Sequence, residues 1–180
     1  MILTQAQLPS NWLQKIDFND MIKQSVENLR SKGTTEDAHV QVEVTGKSAF
    51  WGNYKLLQIV FNNLISNAIK YRKISGDLST VKLAVFTDEA KAIIHVEDNG
   101  KGIAPDEIDK IFNLFHRSSP FEYGRGMGLY MAKEIIEKLG GKIAVESALN
   151  VGTAFTFELP NQVFMQNSMS QEKENPNLFN

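Results

Sequence analysis

Glycine placement is the most constraining feature of this chain. Eight of its twelve glycines stand between Gly100 and Gly152, and five of those form two tight clusters, Gly100 with Gly102 and Gly124 with Gly126 and Gly128. Lacking a Cβ, glycine takes positive φ without strain and lets backbone come close to a ligand. The first cluster, Asp98-Asn99-Gly100-Lys101-Gly102-Ile103, follows an alternating, strand-like run. It reads either as a turn closing that strand or as a wall built for close approach. The second, Gly124-Arg125-Gly126-Met127-Gly128-Leu129, opens a helix-like run, where free backbone N–H groups make a cradle for anions such as phosphates. A loose connecting loop is the competing reading. A dinucleotide fingerprint would need a preceding strand and an acidic residue about 20 positions further on. What precedes here is the helical run Ile111–Phe115 and a polar stretch, and no GxxxxGK[ST] string occurs.

Around the glycines, helix-like and strand-like patterns alternate without an internal repeat. Asp17-Phe18-Asn19 offers capping side chains, and Ile22, Val26 and Leu29 follow at helical spacing before Gly33. Residues 40–44 alternate strictly and read as a strand. A longer helix is predicted from about Asn53 to Tyr71, with Leu57, Phe61, Leu64, Ile65 and Ala68 on one stripe. Strands near 80–86 and 91–97 flank a turn at Asp88-Glu89-Ala90. Pro105, with Asp106 and Glu107 behind it, predicts a short helix carrying Ile108, Ile111 and Phe112 toward a core. Another helix runs from about Met127 to Leu139 and stops at Gly140-Gly141, and 142–147 with 153–159 complete a hairpin. The pattern predicts an α+β fold, a two-layer sandwich in which helices cover one face of a mixed sheet. Residues 1–14 read as a leader or the stub of upstream helices and 15–160 as the folded domain. Residues 161–180, rich in Asn, Gln, Ser and Glu, read as a mobile tail.

Composition removes several function classes. A length of 180 residues suggests one domain, at most two. The absence of cysteine excludes disulfide frameworks, thiol catalysis and zinc–thiolate sites. The three histidines, His39, His95 and His116, are too dispersed to suggest a metal cluster, and a net charge of −2 argues against a nucleic-acid surface built on bulk positive charge. No stretch reaches the ~18 uninterrupted apolar residues of a membrane span, and the N-terminus lacks a secretory pattern. A cytoplasmic location is expected.

A third constellation lies on the long helix. Asn63, Asn67 and Lys70 stand at i, i+4 and i+7 and share one face, with Asn62 about a quarter-turn away. Magnesium prefers oxygen ligands and shared phosphates, so one amide oxygen plus nucleotide phosphates would suit it, with the lysine neutralising phosphate charge. A solvated polar face is the alternative.

Taken together and in order, these signals resemble the ATP-binding catalytic domain of sensor histidine kinases, in the superfamily shared with type II topoisomerase, heat-shock chaperone and mismatch-repair ATPases. Residues 62–71 (NNLISNAIKY) look like its N box and 98–103 (DNGKGI) like its first glycine box. Residues 111–117 (IFNLFHR) look like its F box, 124–129 (GRGMGL) like its second glycine box, and Gly152-Thr153-Ala154-Phe155 like its terminal GTxF. The resemblance covers about Ile16 to Pro160 and implies a two-layer ATP-binding fold of the Bergerat type. It implies that Asp98 accepts a hydrogen bond from the adenine amino group, that Tyr71 and Ile103 flank the base, and that Thr153 lies near the pocket floor. Asn67 would be a ligand to Mg2+, with Asn63 supporting the same stripe, while Lys70 and Arg117 hold phosphate oxygens. Backbone amides around Gly124, Gly126, Met127, Gly128 and Leu129 would wrap the triphosphate, Gly100 and Gly102 would shape the base pocket, and Ser118–Tyr123 would be a lid over ATP.

Departures from the family pattern are few. Arg125 stands where a small residue is commoner, and Met127 replaces a frequent leucine. Asn150 takes a place usually held by glycine, and asparagine tolerates left-handed φ better than most residues. No helical string carries a histidine followed by an acidic residue, the mark of a phosphoacceptor. The resemblance therefore implies a catalytic domain cut from a longer kinase, whose parent could be membrane-anchored, or one acting in trans. Its partners would be a separate dimerisation and histidine-phosphotransfer domain and, through it, a response regulator, with the isolated chain monomeric. Two other readings stand beside this one: an ATP-holding regulatory module that transfers nothing, and a serine kinase of the same superfamily acting on an anti-sigma-type partner.

Overall fold

Alternation along the strands decides which side of the sheet the helices cover. The computed structural model describes residues 13–31, 38–73, 78–117 and 126–163. Its elements are β1 (Gln14–Lys15), α1 (Phe18–Arg30), β2 (Ala38–Gly46), β3 (Trp51–Gly52), α2 (Tyr54–Lys70), β4 (Ser79–Thr87), β5 (Lys91–Asp98), a 3-10 turn (Ile108–Lys110), α3 (Gly128–Lys138), β6 (Lys142–Ala148) and β7 (Gly152–Pro160). Five strands form one sheet in the order β2-β4-β5-β7-β6. Only β2 and β4 run parallel, joined by a crossover that contains α2. On β4, Val81, Leu83 and Val85 are buried while Lys82, Ala84 and Phe86 are exposed. On β5 and β7 the buried sets are Ala92, Ile94 and Val96, and Phe155, Phe157 and Leu159. The result is the expected α+β sandwich.

Helix α2 is the central packing element. Leu57, Val60, Phe61, Leu64, Ile65, Ala68 and Ile69 are all buried along it. The Phe61 ring meets the sheet edge-on at Phe157 (centroids 5.8 Å apart) and lies 6.0 Å from Phe18 of α1. Side chains fix where helices begin: Asp17 accepts the Asp20 N–H at 3.1 Å, and Asn53 accepts the Leu56 N–H at 3.1 Å. The predicted β4–β5 turn forms because Asp88 Oδ1 accepts the N–H groups of Ala90 and Lys91, both at 2.8 Å.

Three expectations need adjustment. The segment after Pro105 does not form an α-helix. It advances by i→i+3 bonds, from the N–H groups of Glu107, Lys110, Asn113 and His116 to the carbonyls of Ala104, Glu107, Lys110 and Asn113. The Glu107 carboxylate is drawn to Lys110 (3.0 Å) and His116 (2.8 Å) instead of capping a helix. Ile111 is still buried, and Phe112 packs against Phe155, but Ile108 is only partly covered. At the N-terminal side, Gln14 pairs with Gly52 in a separate two-stranded sheet, so strand pairing reaches into the predicted leader. At the other end, Asn161 is buried: its side chain accepts the Trp51 N–H (3.1 Å) and donates to the Ala49 carbonyl (2.9 Å). Gly33, residues 1–12 and residues 164–180 lie outside the described residues. Among the described residues, no helix is long and apolar enough to cross a membrane.

The two sheet faces should respond differently to mutation. Phe61→Ala is expected to cost about 3–5 kcal/mol, whereas Phe86→Ala on the open face should stay within about 0.5 kcal/mol. Urea unfolding of both variants checks this assignment of the core.

Candidate functional site

Strand register lines up three polar residues at one end of the sheet. Asp98 closes β5 directly opposite Thr153 of β7, and Thr153 stands opposite Ser147 of β6. Paired residues in register share a face, so all three point to the helix side, as does Val81 opposite Asp98 on β4. Asp98 Oδ1 accepts the Gly100 N–H at 2.8 Å, and the Thr153 N–H also donates to its carboxylate. Burial pushes the Asp98 pKa up to about 6; those two backbone donors oppose the shift, and the neighbouring Glu97 charge adds to it. Behind this row, the Ser147 hydroxyl receives the Ile103 N–H at 2.8 Å, donates to the Gly152 carbonyl at 2.9 Å, and lies 2.9 Å from Thr153 Oγ1.

Backbone bonds hold the first glycine cluster against this row. Lys101 N–H donates to the Tyr71 carbonyl at the end of α2 (2.9 Å), and Asn150 N–H in the β6–β7 turn donates to the Lys101 carbonyl (2.6 Å). Gly102 has φ of +66°, and a Cβ there would run into the Ala148 carbonyl, so glycine is required on both conformational and steric grounds. Asn150 takes φ of +62°, the left-handed conformation expected of it.

Facing the row across a cleft are α2 and the start of α3. Asn63, Ser66, Asn67 and Lys70 of α2 line one lobe, of about 460 Å³, with His116, Arg117, Gly126, Met127, Gly128 and Leu129. Asp98, Gly102, Ile103 and Thr153 line a second lobe of about 340 Å³. Asn67, Tyr71, Ile111, His116, Arg117 and Leu129 border both lobes, which makes them two ends of a single cleft. A Cβ on Gly128 would sit 3.0 Å from Asn63 Oδ1, so its absence lets α3 begin close against the amide stripe. The Met131 N–H bonds the Met127 carbonyl (2.9 Å), leaving the N–H groups of Gly128, Leu129 and Tyr130 outside the helical ladder, and no side chain caps this end. Lys70 Nζ donates to the Tyr71 hydroxyl at 3.0 Å and lies 4.6 Å from its ring centroid. One end of the cleft thus offers the acceptors of Asp98 and Thr153, with Lys101 on its wall, and the other offers Lys70, amides and a helix N-terminus.

Of the residues singled out from sequence, Asn63, Asn67, Lys70, Tyr71, Asp98, Gly102, Ile103, Arg117, Gly126, Met127, Gly128, Leu129 and Thr153 all line the cleft. Gly100 lies behind Asp98 and supplies its N–H. Gly124, Arg125 and the segment Ser118–Tyr123 lie outside the described residues. Sequence reasoning missed Ser66, which helical spacing from Asn63 could have found. It also missed His116, Glu107 and Lys101 as wall residues, and Ser147, which only strand register reveals.

Among the described residues, no group of three or more His, Asp or Glu side chains could hold a metal ion alone. A divalent cation here would need ligand phosphates as well as protein oxygen, and Asn67 carries an amide oxygen on the cleft wall.

Residues 52–163 match the family described as histidine kinase-, DNA gyrase B-, and HSP90-like ATPase. The chain belongs to this family. Its relatives include the sensor histidine kinase RppB of Synechocystis, 36% identical over 150 residues, covering 79% of this chain and 32% of RppB. They also include the Synechocystis phytochrome-like protein Cph1, 34% identical over 165 residues, covering 88% of this chain and 21% of Cph1. Among solved structures, the mycobacterial sensor histidine kinase MprB is 28% identical with a TM-score of 0.68, over 82% of this chain and 96% of that one. The chain therefore spans about a third or less of the length of these two sequence relatives. As a member of this ATPase family it is an ATP-binding domain of the sensor histidine kinase type.

The raised Asp98 pKa carries a stability consequence. Its native pKa, about 6, exceeds the ordinary value of 3.8 expected once unfolded. Between those values the native domain binds more protons, so this group favours folding as pH falls through 6 toward 4 and opposes it above 6. Asp98→Asn is expected to raise the Tm of the nucleotide-free domain at pH 7.5 and to flatten its change between pH 7.5 and pH 5. Thermal unfolding of both proteins at the two pH values measures this.

Proposed function

We propose that this domain binds ATP with magnesium in the cleft and donates the γ-phosphate to a histidine on a separate dimerisation domain, which in turn serves a response regulator. The observation that carries the reading is the contrast between the two ends of one cleft, a half-buried carboxylate at one and an uncapped helix N-terminus beside Lys70 at the other. The names of RppB and MprB as sensor histidine kinases support the same assignment.

In this reading Asp98 accepts a hydrogen bond from the adenine amino group, and Tyr71 and Ile103 flank the base. Thr153 closes the pocket floor. The amides of Gly126, Met127 and Gly128 hold phosphate oxygens through the partial positive charge of the α3 N-terminus. Lys70 and Arg117 neutralise phosphate charge. Asn67 would hold the magnesium ion, with Asn63 on the same stripe; when bound, the ion offsets charge on the transferring phosphoryl group. Phosphoryl transfer depends chiefly on positioning and charge stabilisation, so the domain needs no nucleophile of its own. The phosphoacceptor histidine comes from the partner, and His39 and His95, on strands β2 and β5, serve the sheet. The catalytic unit occupies about residues 15–160 and works on the cytoplasmic side.

Two measurements test this. Calorimetric titration should show ATP binding strengthened by magnesium, and Asn67→Ala should weaken Mg-ATP binding about tenfold, the loss of one charge-assisted contact, with an unchanged far-UV spectrum. Unchanged affinity removes Asn67 from the metal role. Mixing the chain with ATP and a helical dimerisation domain should yield acid-labile phosphohistidine, and ATP binding without any transfer would favour the regulatory-module reading. Because protonation removes the charge that strengthens Asp98 as an acceptor for the adenine amino group, ATP affinity should also decline as pH falls below about 6.

A further inference from the structure

A hydroxyl carries one proton and two lone pairs. Three partners surround Ser147 Oγ: the Ile103 N–H at 2.8 Å, the Gly152 carbonyl oxygen at 2.9 Å and Thr153 Oγ1 at 2.9 Å. An amide N–H can only donate and a carbonyl can only accept. Ser147 therefore gives its single proton to Gly152 and takes the Ile103 N–H on one lone pair. What remains for Thr153 is the other lone pair, so the proton between the two hydroxyls belongs to Thr153.

Thr153 is consequently left with lone pairs alone for the cleft that it lines. Its backbone N–H is also committed, to the Asp98 carboxylate. Two acceptors, the carboxylate of Asp98 and the hydroxyl oxygen of Thr153, thus stand on adjacent paired positions at this end of the cleft, with no donor between them. We infer that Ser147, which does not itself line the cleft, is a positioning residue that sets nucleobase choice by holding Thr153 as an acceptor. Facing the 6-position of a purine, two acceptors match the N–H groups of a 6-amino base and oppose a 6-oxo base, whose oxygen would face lone pairs. Sites built to pair a donor reject the analogue lacking it, because buried polar groups are then left unpaired. Ser147 also accepts the Ile103 N–H behind the pocket wall, so one hydroxyl joins β6, β7 and the first glycine cluster.

This inference rests on the nucleotide reading above, and ATP and ITP, which differ at the 6-position of the base, separate the two. Titration calorimetry on the full chain compares wild type, Ser147→Ala, Ser147→Thr and Thr153→Val with each nucleotide. Wild type should bind ATP more tightly than ITP. Ser147→Ala releases the Thr153 proton to turn toward a 6-oxo group and should narrow the ATP-to-ITP affinity ratio about tenfold, the scale of one mispaired buried hydrogen bond. Ser147→Thr, which keeps the hydroxyl, should restore the ratio. A ratio unchanged in Ser147→Ala, or equal losses for both nucleotides, overturns the inference while leaving ATP binding intact. Should Ser147→Ala fail to fold because the Ile103 N–H is orphaned, Thr153→Val decides: it removes the same lone pairs, and an unchanged ratio there overturns the proposal too. A wild-type chain that binds neither nucleotide ends the nucleotide reading and this inference with it.

Discussion

The pairing of Asp98 with Thr153 at the end of β5 and β7 is the contact on which the cleft depends. It does two things at once. It places a carboxylate on the helix-facing side of the sheet, and it supplies that carboxylate with a backbone N–H from Thr153 in addition to the one from Gly100. A slip of β5 by one residue would turn Asp98 to the open face and carry Ala92, Ile94 and Val96 out of the core with it. Apolar packing under α2 therefore enforces the register of the polar row. Site and core are specified by the same alternation, and neither can shift without the other.

The opposite wall depends on close approach. Helix α3 starts against the amide stripe of α2 because position 128 has no side chain to meet Asn63. Its first N–H groups lie outside the ladder, as at any helix start, and Met127 offers them no side-chain cap. Among the described residues, the other two α-helices start on side-chain caps, Asp17 and Asn53. The lack of a cap on α3 is thus local, and it falls where the cleft gains from free donors. Below it, the Phe115 N–H bonds the Gly126 carbonyl at 3.0 Å, with Phe115 held at φ of +64°. A non-glycine residue in that conformation costs free energy and persists only where surrounding contacts fix it.

Much of this was legible in the residues themselves. Alternation located the five strands of the larger sheet to within one or two residues, though not the short β1 and β3, and the 3.6-residue stripe located α2 between its caps, because both patterns come from burying one face. Asn63, Asn67 and Lys70 were readable as one face because helical geometry is local. The segment after Pro105 was misread because proline and acidic residues favour a helix start, whereas the Glu107 side chain turns to His116, nine residues away. Gln14 and Asn161 were assigned to loose ends because what anchors them, β3 and the Ala49 carbonyl, is far off in sequence. Ser147 was invisible for the same reason: one serine in an alternating strand has no local mark, and only the β6–β7 register puts it behind Thr153.

Asp98 carries a cost that core packing alone would not impose. A carboxylate held well above its ordinary pKa opposes folding near neutral pH, and an amide or apolar residue there would relieve that penalty. Its two backbone donors lower the penalty without removing it, and they leave lone pairs for a further donor in the cleft. A residue that destabilises the empty domain, yet is oriented by two backbone donors toward a cavity, makes sense if its remaining acceptor capacity is used when the cleft is filled. An amino group brought by a ligand would add a third hydrogen bond to the ionised form and draw its pKa back down. Ligand binding and ionisation of Asp98 then favour each other, and the strain in the empty domain becomes part of its selectivity.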